Sequence, residues 1–442
     1  LFLVQRSEVR ILVGQPNMNS FLDKIFFRFN NLDHISKKIK DLTKKTPANK
    51  IFNSINSYSS ESEIRYVGGC IRKIIKNENV DDIDLATNLD PEEICDALKK
   101  NNINYYETGI EHGTITALID RYKFEITSLR EDISTDGRHA KVKFTQNWKI
   151  DAARRDFSIN SIYSDGDGNL FDPFDGKKDL ENGIINFIGD ADKRIKEDYL
   201  RILRYLRFFL NYSKKPHNLD IIRKLKINIG GVSKISKERL MDELKKIIKL
   251  DTLNKLPKDK ISLDLILTIF PELKDIRIFS KLNSDKKELL NDEDFIFLLS
   301  LMIIDNTDNT DYFLYKFNIS KKDNKRIKTI DNFYKEKIGS MTFSENNMNK
   351  ILYFHGKQAV IDILNFKIIK TNKNERELIE LINRYRNKQI PKMPFTAEIV
   401  MTKYNIPEGK QLGIRLKMIE EEWVKNNFKI SDQQVENIII KS

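Results

Sequence analysis

The hydrophobic pattern of the chain changes near residue 190, and this change limits the folds open to it. Before that point, runs that alternate apolar and polar residues like β-strands are interleaved with helical segments; the runs are Ile64–Val67, Ile83–Ala86, Thr114–Ile119 and Tyr122–Leu129. Beyond it, the apolar spacing is helical almost throughout. The sequence therefore predicts an α+β fold: a head with a mixed sheet, followed by an all-helical remainder.

Composition suggests a class of partner without proving it. The 442 residues include 77 Lys and Arg against 65 Asp and Glu, a net charge of +12. This excess of positive charge suits a polyanionic partner. The abundance of Lys, Ile and Asn also fits compositional drift in an AT-rich genome. Two cysteines, Cys70 and Cys95, are too few for a zinc site or a disulfide scaffold. Without a membrane span or a secretory signal in the sequence, we expect a cytoplasmic protein.

A Gly-Gly turn follows the first strand-like run and opens a helix. Gly68 and Gly69 allow the backbone to approach a phosphate closely, and the start of the helix offers unpaired N–H groups. Arg72 adds a guanidinium on the first turn. Such a turn by itself is more often structural than functional.

Three carboxylates follow this turn. Asp82 and Asp84 lie in a predicted strand, whose period of two places both on one face. Adjacent carboxylates repel unless a cation lies between them, which indicates a hard divalent metal such as Mg²⁺. An isolated Asp-x-Asp is usually a solvated edge strand, but Glu125 adds a third acid on the polar face of another strand. We predict two-metal phosphoryl transfer, with all three residues catalytic and the aspartates binding the metals.

A segment rich in arginine begins at Arg154. It contains Arg154, Arg155, Asp156 and Asn160 around apolar residues. Guanidinium forks suit a triphosphate, and Asp or Asn side chains suit ribose hydroxyls. An exposed cluster of salt bridges is the structural alternative.

A second charged segment, residues 197–207, is predicted to be helical. Asp198, Arg201, Arg204 and Arg207 recur at every third position, with apolar residues between them. A solvated helix face normally mixes Lys, Glu and Ser. We therefore expect a largely buried helix whose charges face a cavity.

In order and spacing, these segments resemble the class II family of tRNA nucleotidyltransferases (CCA-adding enzymes) and bacterial poly(A) polymerases. The matching pieces are Gly68-Gly69-x-Ile71-Arg72, Asp82-x-Asp84-Leu85-Ala86-Thr87, Arg154-Arg155-Asp156-Phe157, Asp172–Gly176–Asp179-Leu180 and Glu197-Asp198-x-Leu200-Arg201. The resemblance covers residues 64–210. It implies a DNA polymerase beta-like nucleotidyltransferase head, followed by a helical neck, body and tail.

The resemblance also implies a role for each motif. Asp82 and Asp84 would hold the metals, and the nucleotide would be contacted by Gly69, Arg72 and Arg155, with its phosphates bound by Arg204 and Arg207. Asp198 and Arg201 would read the base in place of a template. An acceptor-only carboxylate beside a donor-only guanidinium selects cytosine and adenine, which pair an amino donor with a ring-nitrogen acceptor, over uracil and guanine.

Lys73 and the segment Ile74–Lys76 depart from the family pattern, whereas other segments favour one branch of the family. Lys73 stands where the family has an acid, and Ile74-Ile75-Lys76 replaces its usual Leu-Leu-Gly, so the connection from helix to strand is expected to differ. The segments Thr108–Thr114 and Thr135–Ala140 resemble CCA-adding members, including their flexible loop, more than poly(A) polymerases. A weaker resemblance to CCA-adding tails is found at Pro407–Gly413.

The sequence therefore predicts template-independent addition of C, C and A to the 3′ end of tRNA from CTP and ATP. The helical remainder would bind the acceptor and T arms, and no protein partner is predicted. Poly(A) or A-only addition is the first alternative, and an inactive RNA-binding protein of the same fold is the second. Intact carboxylates and an intact Asp198–Arg201 pair argue against the second.

The predicted organisation has four parts: a leader at 1–45, the head at 46–189, a neck with the base-reading helix at 190–250, and a body and tail at 251–442. The chain opens on Leu1 and its first methionine is Met18. The run Val9–Leu12 could be encoded by GTT-CGA-ATC-CTG, which resembles a tRNA T arm. We therefore expect residues 1–17 to be non-native upstream sequence, which sequencing the mature N-terminus would test.

Overall fold

The computed structural model describes residues 34–135, 140–336, 343–371 and 375–441. The chain forms two compact units that divide between Ile235 and Ser236. Residues 1–17 and the tip of the expected flexible loop, 136–139, lie outside the described residues. In the described ranges, no helix combines the length and the apolar character needed to cross a lipid bilayer.

The first unit is built on a mixed β-sheet. Its strands, together with those of a separate hairpin formed by β6 and β7, are β1 (Ile64–Val67), β2 (Ile83–Thr87), β3 (Asn104–Gly109), β4 (Thr114–Ile119), β5 (Tyr122–Ser128), β6 (Arg130–Thr135), β7 (Ala140–Phe144), β8 (Tyr163–Ser164) and β9 (Leu170–Phe171). The strand order of the main sheet is β3-β4-β5-β2-β1-β8-β9. β2 pairs with β5 in parallel, whereas the other neighbours in this sheet are antiparallel.

Helices of the first unit cover one face of this sheet and extend beyond it. They are α1 (34–45), α2 (Ala48–Asn56), α3 (Gly69–Ile75), α4 (Pro91–Lys100), α5 (Trp148–Ala153), α6 (Gly176–Asn182), α7 (Ala191–Glu197), α8 (Leu200–Tyr212) and α9 (Leu219–Asn228). Local sequence explains where several begin. Asp90 and Glu93 form a capping box at the start of α4 with Pro91 in its first turn, and Asn147 caps α5.

The two faces of the sheet have different roles. On one face, α1–α4 pack against alternate strand residues to form the main core, which includes the fully buried Ile71, Phe124 and Ile126. On the other face, a smaller cluster around Tyr163 and Ala86 leaves room for polar groups. A strand alternates its side chains between faces, so residues between core positions point to this second face.

The second unit is helical throughout its described part. Its α-helices are α10 (Lys237–Ile247), α11 (Leu250–Lys255), α12 (Lys260–Ile269), α13 (Ser284–Leu289), α14 (Phe295–Ile303), α15 (Asn309–Lys316), α16 (Lys321–Lys335), α17 (Glu345–Lys370), α18 (Glu375–Asn387), α19 (Ala397–Tyr404), α20 (Lys410–Lys425) and α21 (Asp432–Lys441). The axis of α17 breaks at Gly356, whose φ of 84° is incompatible with a helix.

A partly buried polar cluster joins α14, α16 and α17. Arg326 donates to both carboxylate oxygens of Asp362, at 2.7 and 3.0 Å, and to Asp294 at 2.5 Å. Beside it, Asn365 Nδ2 donates to Glu293 Oε1 at 2.7 Å. Burial raises the pKa of Glu293 to about 7; the Asn365 bond and Arg326 lower it, and Asp362 and Asp294 raise it further.

The structure confirms the α+β fold class, with a mixed sheet in the first unit and helices in the second. At the predicted site it differs from the prediction at two places. β2 begins at Ile83, so Asp82 precedes the strand. The segment 197–207 is not one helix, because Asp198 is extended (φ −153°, ψ 105°) between α7 and α8. Asp198 Oδ1 accepts a hydrogen bond from the backbone N–H of Leu200, which supports this break at the start of α8.

Candidate active site

The turn between β1 and α3 brings backbone, carboxylate and guanidinium groups together. Gly68 has a φ of +66°, a conformation in which a side chain is strained. A Cβ on Gly68 would lie 3.6 Å from Arg155 Nη1, and one on Gly69 would lie 3.8 Å from Asp84 Oδ2. Asp84 and Arg155 thus both lie beside this turn, and the positive φ of Gly68 favours glycine there.

Asp84 and Glu125 lie on the sheet face opposite the main core. Their Cα atoms are partners in the parallel β2–β5 register, while Phe124 and Ile126 point into the core. Burial raises the pKa of Asp84 above its usual value; Glu125 and Asp82 raise it further, whereas Arg155 and Arg72 lower it. Glu125 and Asp82 therefore both repel Asp84 near the start of β2.

This donor set fits a hard divalent cation. Carboxylate oxygens are ligands that Mg²⁺ prefers, and a cation beside Asp82 and Asp84 would relieve the repulsion. Glu125 Oε1 instead accepts from Lys123 Nζ at 2.6 Å. Among the described residues, no three His, Cys, Asp or Glu side chains are placed to hold a metal by themselves. A metal here would take its remaining ligands from substrate phosphates and water, which is common for Mg²⁺.

Asp156 and Asn160 form the middle of a buried chain of polar contacts. Asp156 Oδ2 accepts from Arg204 Nε at 2.5 Å, and Asp156 Oδ1 accepts from Asn160 Nδ2 at 2.8 Å. Asn160 Oδ1 in turn accepts from Arg72. Burial would raise the pKa of Asp156, but Arg204 and the other donors hold it well below its usual value. The chain links α3 to α8, and the ribose contacts of Asp156 and Asn160 remain predictions.

Arg154 and Arg155 are both held by Asp151, on α5. Arg154 Nε donates to Asp151 Oδ1 at 2.8 Å, and Arg155 Nη2 donates to Asp151 Oδ2 at 3.1 Å. The backbone carbonyls of both arginines accept from Arg194 on α7. The arginine segment is therefore an anchored element rather than an exposed cluster of salt bridges.

The predicted base-reading pair lies at the break between α7 and α8. Asp198 is the extended residue at this break, and Arg201 is on the first turn of α8. Arg201 Nη1 donates to Glu197 Oε2 at 2.6 Å and to the Arg194 carbonyl at 2.7 Å. Glu197 also accepts from Arg194 at 2.5 Å. Glu197 thus holds the guanidinium of Arg201 at the end of α7.

Three arginines converge on one aromatic ring of α8. The guanidinium carbons of Arg72, Arg204 and Arg207 lie 4.8, 5.6 and 4.2 Å from the ring centroid of Phe208. A cation over an aromatic face is attracted by its quadrupole, so Phe208 helps to hold these charges together. The arrangement concentrates positive charge beside the Gly68–Gly69 turn.

One departure from the family pattern, Lys73, and one further matching position, Asp172, have structural contacts. Lys73, which stands in place of the family acid, forms an ion pair with Asp81 at 2.9 Å and so links α3 to the segment before β2. Asp172 accepts from the backbone N–H groups of Gly176 and Lys177, both at 2.8 Å, at the start of α6.

Comparison with known proteins identifies the family. A family profile described as the poly(A) polymerase head domain matches residues 64–186. The mitochondrial CCA tRNA nucleotidyltransferase 1 of Homo sapiens is 31% identical over 388 residues, covering 86% of this chain and 87% of that protein. The chain belongs to the CCA tRNA nucleotidyltransferase family. A bacterial member, the CCA-adding enzyme of Lactobacillus johnsonii, is 38% identical over 206 residues, covering 46% of this chain and 50% of that protein.

Solved structures of the same family share the fold. The CCA-adding enzyme of Bacillus stearothermophilus, determined in complex with CTP, has a TM-score of 0.65 at 19% identity and covers 88% of this chain and 95% of its own. That of Thermotoga maritima, in complex with a tRNA, has a TM-score of 0.55 at 17% identity, covering 89% and 94%. As a member of this family the chain is a nucleotidyltransferase, and such enzymes generally use divalent metals.

Sequence reasoning missed three residues that hold the predicted site residues in place, Asp151, Tyr163 and Arg194, and it gave no role to Glu197. Asp151 precedes Arg154 and Arg155 by three and four positions, the spacing of neighbours on a helix, and this signal could have identified it. Tyr163 and Arg194 reach the site from other elements, so nothing local in the sequence indicates them.

Proposed function

We propose that the chain adds C, C and A to the 3′ end of tRNA, using CTP and ATP and no template. The observation that carries this proposal is the Gly68–Gly69 turn with Arg155 Nη1 beside its first glycine and Asp84 Oδ2 beside its second. The choice of CCA over other additions rests on the relatives. They are named CCA tRNA nucleotidyltransferases, and this chain matches them over most of their length.

The incoming nucleotide would bind between the turn and the arginines. Backbone N–H groups after Gly68 and the guanidinium groups of Arg72 and Arg155 suit its triphosphate. Arg154, Arg204 and Arg207 would add positive charge around it, and Asp156 and Asn160 would set the position of Arg72 and Arg204 or reach the ribose. The 3′-oxygen of the RNA then attacks the α-phosphorus, forming one P–O bond as the bond to pyrophosphate breaks.

Asp82 and Asp84 would hold Mg²⁺ ions, and Glu125 is the third acid proposed to be catalytic. Bound there, the metal would activate the attacking hydroxyl and neutralise charge on the leaving pyrophosphate. Burial raises the pKa of Asp84, and Glu125 and Asp82 raise it further by repulsion. A cation bound there would relieve this repulsion, which supports the role.

Base selection would be made by Asp198 and Arg201. Asp198 accepts from the amino group of cytosine or adenine, and Arg201 donates to the neighbouring ring nitrogen. Uracil and guanine would place a carbonyl opposite the carboxylate and an N–H opposite the guanidinium, which leaves two polar pairs unmade. The contact of Arg201 with Glu197, the residue before Asp198 in the chain, supports this role, since it holds the guanidinium at the break between α7 and α8.

We also propose a neck at 190–250 and a body and tail at 251–442 that bind the acceptor and T arms through phosphates. Two buried free thiols, Cys70 and Cys95, suit a reducing compartment, which we propose to be the cytoplasm. Relatives include both mitochondrial and bacterial proteins.

Nucleotide incorporation by the purified chain with Mg²⁺ tests this function. The substrates are tRNAs ending at the discriminator base, at C and at CC. Ordered addition of C, C and A that then stops is expected. Addition of A alone to the CC-ended RNA would indicate an A-adding enzyme, a long A tract a poly(A) polymerase, and binding without incorporation an inactive RNA-binding protein.

A further inference from the structure

The carboxylate of Asp151 is the centre of a saturated hydrogen-bond cluster beneath the arginine segment. Its side chain is 1% exposed. Oδ1 accepts from Arg154 Nε at 2.8 Å and from the backbone N–H of Arg130 at 3.3 Å. Oδ2 accepts from Arg155 Nη2 at 3.1 Å and from the Tyr163 hydroxyl at 2.6 Å. Both oxygens are therefore occupied by protein donors, and Asp151 itself has no capacity left for a ligand.

Arg155 is held on two sides and open on the third. Its Nε donates to the Tyr163 hydroxyl at 2.9 Å, and its Nη2 donates to Asp151. The guanidinium carbon also lies 5.1 Å from the ring centroid of Tyr163. No described residue accepts a hydrogen bond from Nη1, which lies 3.6 Å from the Cβ position of Gly68. The remaining nitrogen is thus directed at the turn where a phosphate would bind.

We propose that Asp151 and Tyr163 are positioning residues for nucleotide binding, which hold Arg155 with Nη1 directed at the triphosphate beside Gly68. This inference rests on the proposed function, in which Arg155 binds the nucleotide. A free arginine side chain has many rotamers, and ordering it on binding weakens affinity. Asp84 is a nearby anion that attracts Arg155. Asp151 and Tyr163 keep the guanidinium from turning towards it before the nucleotide arrives.

Tyr163→Phe is the sharpest test, because it removes the hydroxyl that contacts both Asp151 and Arg155 and keeps the packed ring. The readout is the ratio of the dissociation constants of cytidine and CTP, measured by titration of the full chain. Loss of a hydrogen bond to a charged group predicts about tenfold weaker CTP binding. Cytidine binding should change less than about twofold, because cytidine has no phosphate.

Tyr66→Phe is a matched control. Tyr66 is also fully buried in the first unit, and its hydroxyl is 2.9 Å from Thr43 Oγ1, on the other face of the sheet. Its loss should lower the melting temperature and leave the cytidine-to-CTP ratio unchanged. Asp151→Asn should reduce the cytidine-to-CTP ratio at least as much as Tyr163→Phe. The amide nitrogen of Asn would face hydrogen-bond donors from which it cannot accept.

The outcomes separate the positioning role from the function on which it rests. A folded Tyr163→Phe variant with the wild-type ratio would overturn the inference while leaving the proposed function intact. Equal weakening of cytidine and CTP would also overturn it, because that indicates general loss of structure. If wild-type chain bound no CTP, the proposed function would fail and the inference with it. Should Asp151→Asn not fold, Tyr163→Phe still decides.

Discussion

Replacing Glu293 by Gln should stabilise the protein above neutral pH and much less below it. In the folded chain the pKa of Glu293 is raised to about 7 from its usual value of 4.5, first by burial. In the unfolded chain the carboxyl loses its proton near the lower value. Between these two pH values the folded state binds more protons, so the free energy of unfolding falls as pH rises.

The size of the effect follows from the shift. One pKa unit corresponds to about 1.4 kcal/mol, so the wild type loses about 3 kcal/mol between pH 4.5 and pH 8 through this group. Gln has the shape of the protonated acid, keeps an acceptor for Asn365 and does not titrate. The variant should therefore exceed the wild type by about 3 kcal/mol at pH 8 and by about 1 kcal/mol at pH 5.

Thermal unfolding of the two proteins at pH 5 and pH 8 measures this difference. For a unit of this size, about 3 kcal/mol corresponds to roughly 6–12 °C in melting temperature. Glu288→Gln is the control, since Glu288 is exposed on α13 and its replacement should not alter the pH dependence. Equal melting temperatures at pH 8, or equal stabilisation at both pH values, would refute the reasoning.

Three further predictions concern the candidate site. Asp84→Asn should reduce nucleotide transfer by at least about 10³-fold, with tRNA affinity nearly unchanged, because it removes a charge that the metal requires; single-turnover incorporation and filter binding measure the two. Arg201→Ala should reduce the selectivity for CTP and ATP over UTP and GTP more than it weakens triphosphate binding. Competition between nucleotides measures this selectivity. Gly68→Ala should cost about 1–3 kcal/mol of stability because of its φ, and raise the KM for CTP.

Each has a contradicting result. Full activity of Asp84→Asn would remove the metal assignment, and unchanged selectivity of Arg201→Ala would remove the base-reading role. Wild-type stability of Gly68→Ala in urea titration would show that the turn accepts a side chain.

The strands that form the centre of the sheet could be predicted because their residues alternate strictly. Ile83–Thr87 and Tyr122–Ser128 place apolar side chains in the core and acids on the other face. β3 was missed, since Asn104–Gly109 has little alternation and a register shift between Tyr106 and Gly109. β8 and β9 have two residues each, too few to show a period.

The predicted helix at 197–207 was wrong at its start for a physical reason. Nothing in Glu197-Asp198-Tyr199 excludes a helix, since there is no Pro or Gly. The break is supported by Asp198, which accepts from the N–H of Leu200 instead of continuing α7. An Asp side chain competes with the backbone in this way at helix starts, but local sequence cannot tell which Asp does so.

Contacts between distant residues explain the rest of what the sequence could not show. The pair of Asp156 with Arg204 and the pair of Arg72 with Asn160 join segments far apart in the chain. The motif residues themselves were identifiable, whereas their partners depend on how the elements pack. The sequence therefore indicated which groups are charged at the site, but not which of them hold others in place.

The parallel pairing of β2 with β5 has a consequence for the order in which the protein assembles. Asp84 and Glu125 are about 40 residues apart, with α4, β3 and β4 in the connection. Closing a segment of this length costs about 3 kcal/mol of chain entropy beyond a fixed term. The pairing of β2 with β5 is therefore unfavourable early in folding. The two repelling acids therefore meet only after the hairpin of β4 and β5 and the packing of α4 can support them. A nascent chain released before β5 would carry the Asp-x-Asp motif without its third acid.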